Sequence, residues 1–298
     1  MLADPPPSGE GEESRSVPPD LTFILLLLVR MAVAAAFVVS ASVIAERSGP
    51  VIGALVATLP ISAGPAYVFL SLDHDAAFIA EGALASLPIN AATTVFGLVY
   101  VLLAQRHSAL VSCLTAVAVW LALASIIRSV HWSLADGLIA NAVAFAICVP
   151  LMQRFRHVKM PLITRRWYDV PLRASLVATL VATVVTLSGW IGPTISGILA
   201  LFPVVFTSMM LILQPRIGGP PTAAVIANSA WGLMGLGVAI AVLHVFALRF
   251  GSAIGLCLAL ATCVSWNLTL WWNGRKKAAR QNDTRVFPVP IESDRKRL

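Results

Sequence analysis

Between Leu21 and Asn273 the chain carries almost no charge. Of its 35 charged residues only 18 lie in that stretch, and the other 17 crowd into residues 1–20 and 274–298 of the 298-residue sequence. An ordinary soluble domain is about a quarter charged. A chain this apolar cannot clothe its surface for water, because surface area outruns the supply of polar side chains. Lipid is the solvent that such a stretch fits. The formal net charge of +7 therefore does not point to nucleic acid. A soluble enzyme is excluded on the same ground.

Residues 1–20, rich in Pro, Gly, Ser and Glu, read as a disordered acidic tail, and residues 274–298 as a disordered basic one. Membrane-barrel strands alternate polar and apolar residues in runs of about ten. Stretches such as VIGALVATLPISAGPAYVFLSL do not alternate, so the spans are helices. At about 20 apolar residues per crossing, the chain divides into about nine. They cover residues 21–45, 50–71, 76–104, 108–128, 132–152, 169–188, 192–214, 222–247 and 252–273. Lys and Arg favour the cytoplasmic side. With the linker Arg154, Arg156, Lys159, Arg165 and Arg166 inside, 16 basic residues face the cytoplasm and three (Arg15, Arg128, Arg249) face out. This puts the N-terminus outside and the C-terminus in the cytoplasm.

The chain also repeats itself. Shifted by 143 residues, Arg30–Pro60 lies on Arg173–Pro203 with eight of 31 positions identical. These include Gly49-Pro50 on Gly192-Pro193 and, ten residues after each, Pro60 on Pro203. Two unrelated apolar helices would match mainly in Ala, Val and Leu. Residues 21–128 and 169–273 thus form two four-helix repeats, joined by a connecting helix and basic linker over 129–168. The copies begin five spans apart, an odd number, which inverts one relative to the other. Inverted repeats are common in secondary transporters, whose sites sit near the midplane.

Pro60 and Pro203 are expected in mid-span, each freeing the carbonyl four residues back, at Val56 and Leu199. Freed carbonyls in lipid need protein or a water-filled cavity around them. With the neighbouring hydroxyls of Thr58, Ser62, Thr207 and Ser208, these prolines make a candidate substrate site, although proline also simply kinks membrane helices. A second interruption is expected at Gly64-Pro65. Arg30 and Arg173, matched in the repeat, are candidates for drawing an anion to the two openings. Glu81 and Asp136 are the intramembrane acids, candidates for proton coupling because ionisable groups at depth are costly. Two small-residue stripes, Ala32/Ala36/Ser40 and Ser175/Thr179/Thr183, read as close-packing helix faces. Asp73-His74-Asp75 reads as a solvated turn and His244 as an interface hydrogen bond. The four cysteines show no metal spacing, and no nucleotide loop or hydrolase motif occurs. Neither metal, cofactor nor enzyme chemistry is expected.

The segment Gly192–Leu213 (GPTISGILALFPVVFTSMMLIL), with its Gly-x-x-x-x-Phe-Pro stretch, resembles the GlpM-like family of small bacterial inner-membrane proteins. Those chains are about half as long, so the resemblance implies a fused, double-length version in a bacterial inner membrane. The family's link to alginate production implies a role in envelope polysaccharide or lipid export. Two functions stay open at this point. One is a transporter or flippase for an unknown anionic or amphipathic small molecule. The other is a non-transporting accessory subunit of envelope machinery. The bilayer and a second copy of the chain are the partners expected.

Overall fold

The computed structural model describes residues 19–47, 60, 62–156, 158 and 166–285. Among them there is no strand. The helices are α1 (Pro19–Arg47), α2 (Ala63–Asp73), α3 (Ala76–Leu103), α4 (Ala109–Ile127), α5 (Leu134–Gln153), α6 (Asp169–Ala200), α7 (Val204–Ile217), α8 (Gly219–Phe250) and α9 (Ser252–Arg285). Six of these (α3, α4, α5, α6, α8 and α9) are long and apolar enough to cross a membrane. The protein is an all-helical membrane protein. Its surface agrees: Leu25, Leu28, Leu114, Ile139 and Leu248 are each about half exposed or more, a distribution that water would not tolerate. Trp167 and Trp190 are 86% and 92% exposed, and a straight helix would set them about 35 Å apart. That matches a bilayer core with an aromatic anchor at each boundary.

Local chemistry starts and stops the helices. Asp75 caps α3 by accepting from the Phe78 N–H at 2.9 Å, and Ser108 caps α4. Ser133 and Asp136 form a reciprocal capping box on α5. Within α6, Gly192 adopts φ 74°, a conformation open to glycine at little cost, and bends the helix ahead of Pro193. The chain breaks outright at Leu201–Pro203, so the single span expected over 192–214 is a short helical piece followed by α7. Gly64-Pro65 is no interruption. Pro65 sits in the first turn of α2, where its missing N–H costs nothing. The helix at the C-terminus runs past Gly274 to Arg285 rather than ending there, since Ala, Lys, Arg and Gln are good helix formers.

The core is a pair of antiparallel helices. Helix α3 is the most buried span, 72% of its apolar window against 17% for α9. It packs on α8 and is flanked by α4, α5 and α6. Three contacts fix the direction of α8. A Cβ on Gly97 would touch Ile226, Asn90 meets Leu233, and Ala80 meets His244. Residue numbers rise on one helix as they fall on the other. Helix α1 packs on α6, but not through the small-residue stripes. Ala32, Ala36, Ser40, Ser175, Thr179 and Thr183 are all exposed. The contact faces hold Ala34, Val38, Ala174, Val177 and Val181, all buried. The Ser175 and Thr183 hydroxyls donate to their own helix carbonyls, so they can face lipid without an unmet hydrogen bond.

Candidate functional site

The two prolines hold matching places, but at helix starts rather than in mid-helix. Pro60 precedes α2 and its carbonyl accepts from the Gly64 N–H at 2.8 Å. Pro203 precedes α7 and its carbonyl accepts from the Thr207 N–H at 2.9 Å. The expected free carbonyl at Leu199 is not free: the chain tightens into a short turn and the Phe202 N–H bonds it at 2.9 Å. Breaking the helix, rather than kinking it, satisfies the backbone. The nearby hydroxyls are spent locally as well. Thr207 donates to the Pro203 carbonyl and Ser208 to the Val205 carbonyl, each at 2.8 Å. Ser62 is half-buried before α2 and makes no capping bond. Thr58 and Val56 lie outside the described residues.

Pro60 opens onto a cavity of about 330 Å³ between α1, α2, α8 and α9. Its inner wall includes the buried Leu201, Ile240, Leu243 and Cys263. Its rim includes Val33, Phe37, Val68 and Leu260, all about half exposed, so it opens sideways to lipid. Among the described residues, no charged one lines it. Tyr67, the one hydroxyl-bearing residue among the described lining, shares a 2.6 Å hydrogen bond with Ser86, which donates to the Gly197 carbonyl at 2.8 Å. There α3 and α6 approach so closely that a Cβ on Gly197 would overlap the Gly82 carbonyl. Glycine is the residue such a crossing admits.

Helix α6 thus ends at a junction. Leu201 faces the cavity, while the next residue, Phe202, lies edge-on to Trp120 of α4, ring centroids 5.2 Å apart. That second side is filled. Trp120, Phe96 and Tyr100 are fully buried, and the Trp120 indole donates to Thr93 at 3.1 Å.

Charged residues sit at the two ends of the bundle. Arg30 makes a two-pronged pair with Asp73 at the end of α2. Arg216, at the end of α7, makes a similar pair with Asp169 at 2.6 and 2.7 Å. Asp73 precedes α3, Arg216 precedes α8, and those helices are antiparallel, so the pairs lie at opposite ends. Arg173 stands one turn beyond Asp169 and adds its charge to that cluster. Beside it Tyr168 accepts a 3.1 Å hydrogen bond from Arg166, which holds its phenol below the usual range. Neither candidate acid joins this arrangement. Glu81 is exposed on α3, and the exposed Asp136 carboxylate is occupied with capping Ser133.

The turn is solvated as expected, with Asp73 and Asp75 exposed, and its side chains are also bonded. Asp73 pairs with Arg30, His74 bonds the Ser188 hydroxyl at 2.7 Å, and Asp75 caps α3. His244 bonds the Ala80 carbonyl at 2.7 Å, an interface hydrogen bond as its place suggests. Asn90 and Asn141, polar residues inside the spans, join at 2.8 Å, and Asn90 also donates to the Leu233 carbonyl at 3.0 Å. Both ion pairs escape pattern reading, although the 143-residue shift lays Asp73 on Arg216, a charge reversal that hints at them. The cavity leaves no pattern, because its walls use the same residue types as any membrane core. Comparison of the chain with family models, curated proteins and solved structures finds no match.

Proposed function

We propose that the protein is a secondary transporter of flippase type, with nine crossings arranged as two inverted four-helix repeats about α5. The observation that carries the reading is the Leu201–Pro203 break, which lies between an open apolar cavity toward one end of the bundle and a closed aromatic wall toward the other. Discontinuous helices at the meeting of two repeats are where secondary transporters bind and move. The inversion is supported by α3 and α8. Their first residues, Ala76 and Gly219, are 143 apart, and they pack antiparallel with Asn90 bonded to Leu233, its own counterpart at that offset. A two-fold axis in the membrane plane produces such a self-matched contact. Pro60 and Pro203 stand at the hinge positions, and the cavity favours an amphipathic solute over a bare anion. The likeness of residues 192–213 to the GlpM-like family fits a role in the inner membrane, with lipid or polysaccharide export as the setting.

The test is the double variant Pro60→Ala, Pro203→Ala. It is expected to accumulate in the membrane yet fail to restore the phenotype of a deletion strain; full restoration would remove the hinge site. Reporter fusions at Arg47, Gln153, Gly189 and the C-terminus test the topology. A periplasmic signal from Gln153 would end both the orientation and the inversion. One observation favours the accessory-subunit reading: the hydroxyls of Thr207 and Ser208 are bonded to their own helix rather than offered to a solute.

A further inference from the structure

We infer that the cavity between α1, α2, α8 and α9 holds the hydrocarbon chain of a membrane amphiphile, with its polar head at the Arg30–Asp73 pair. The inference rests on the transporter reading only in making that amphiphile the cargo. A volume of about 330 Å³ falls at the small end of ligand sites, roughly 300–1,000 Å³. Among the described residues, no charged side chain lines the wall to offset the lost hydration of an ion. Tyr67 turns its hydroxyl to Ser86, so the side chains of the described lining offer a guest hydrocarbon and the thiols of Cys257 and Cys263.

The direction of entry also follows from the geometry. The exposed rim residues Val33, Phe37, Val68 and Leu260 make the opening lateral, onto the lipid. On α1, Arg30 lies one turn from Val33, and on α2, Asp73 lies one turn from Phe69; both Val33 and Phe69 line the cavity. The pair therefore stands at one end of the pocket. It offers a guanidinium with donors to spare and a carboxylate, 12% and 32% exposed. A head bearing a phosphate, with or without an amine, meets complementary charge there. Pro60, also in the lining, precedes α2 and so lies at the opposite end of that helix from Asp73.

The experiment uses the full chain in nanodiscs containing phosphatidylglycerol with a photoreactive diazirine at the end of one acyl chain. After irradiation, label is mapped by peptide mass spectrometry. Label on α2 and on residues 236–263 is expected at least fivefold above label on the lipid-facing residues of α4, such as Leu114. Cys257→Phe, at an exposed position in the lining, should cut it at least threefold. Leu258→Phe, exposed on α9 outside the lining, should not. Arg30→Gln should lower labelling by the anionic lipid more than by its phosphatidylcholine analogue. Equal labelling of α4, which is bulk lipid contact only, or indifference to Cys257→Phe overturns the inference.

The transporter reading fails separately. Chain labelling with leaflet-to-leaflet lipid movement indifferent to the Pro60→Ala, Pro203→Ala change would mean a fixed structural lipid. Proline-dependent movement without labelling would sink the chain site alone. Unchanged gel-filtration profiles confirm that each variant is folded.

Discussion

Two regions of the bundle, 143 residues apart in sequence, pack to opposite ends. On the open side, α8 presents Ala239 and α9 presents Cys263, and the space between them and α2 is empty enough to take a guest. At the same offset, α3 presents Phe96 and α4 presents Trp120, both fully buried, and the space is shut. The side chains at these offset-matched positions differ sharply in volume. Interiors pack close to crystal density, so two aromatic rings in place of a methyl and a thiol are enough to close a cavity.

The largest expected effect comes from opening the closed side. Trp120→Ala removes the edge contact with Phe202 and the hydrogen bond to Thr93. A buried Trp replaced by Ala typically costs about 3–5 kcal/mol, and thermal unfolding in detergent should show a correspondingly large fall. A small fall would mean that the wall is loosely packed and that the contrast with the cavity is not one of volume. Asn90→Ala comes next. It severs α3 from the Leu233 carbonyl on α8 and from Asn141 on α5, and hydrogen bonds between membrane helices are worth about 1 kcal/mol each. No loss of thermal stability would take away the central bond between matched positions.

The ion pairs sharpen the comparison further. Asp169 is 11% exposed where Asp73 is 32% exposed, so water screens the first pair less. Asp169→Asn should lower the melting midpoint by a few degrees and Asp73→Asn by less. Equal falls would mean that the two ends are equally wet. The smallest effect on stability belongs to Ala239→Phe, which copies the closed side into the open one. Because it fills existing space, it should change stability by about 1 kcal/mol or less while lipid-chain labelling drops. A large destabilisation would show that the pocket is too rigid to accept a ring.

Pattern reading located the helical class and several of the helices. Its boundaries at 76–104, 108–128 and 132–152 fall within a few residues of α3, α4 and α5, because caps and breakers act on their immediate neighbours. Pro60 does line the cavity, and Pro203 does mark a discontinuity. The hydroxyls of Thr207 and Ser208 donate to their own helix, because a helical Ser or Thr has its own carbonyls within reach. The small-residue stripes were misread because a spacing of four identifies a helix face without saying what that face meets.

What the sequence by itself determined is the solvent, the helical class, the offset of 143 and the points of breakage at Gly192-Pro193 and Pro203. Each depends on composition or on residues a few positions apart, where backbone sterics and hydrogen-bond supply decide. Tertiary structure alone decided that Arg30 finds Asp73 and Arg216 finds Asp169, and that Ala239 borders a space while Phe96 closes one. Those outcomes depend on which side chains the chain brings together across scores of residues. An apolar side chain looks the same in the sequence whether it lines a void or fills one.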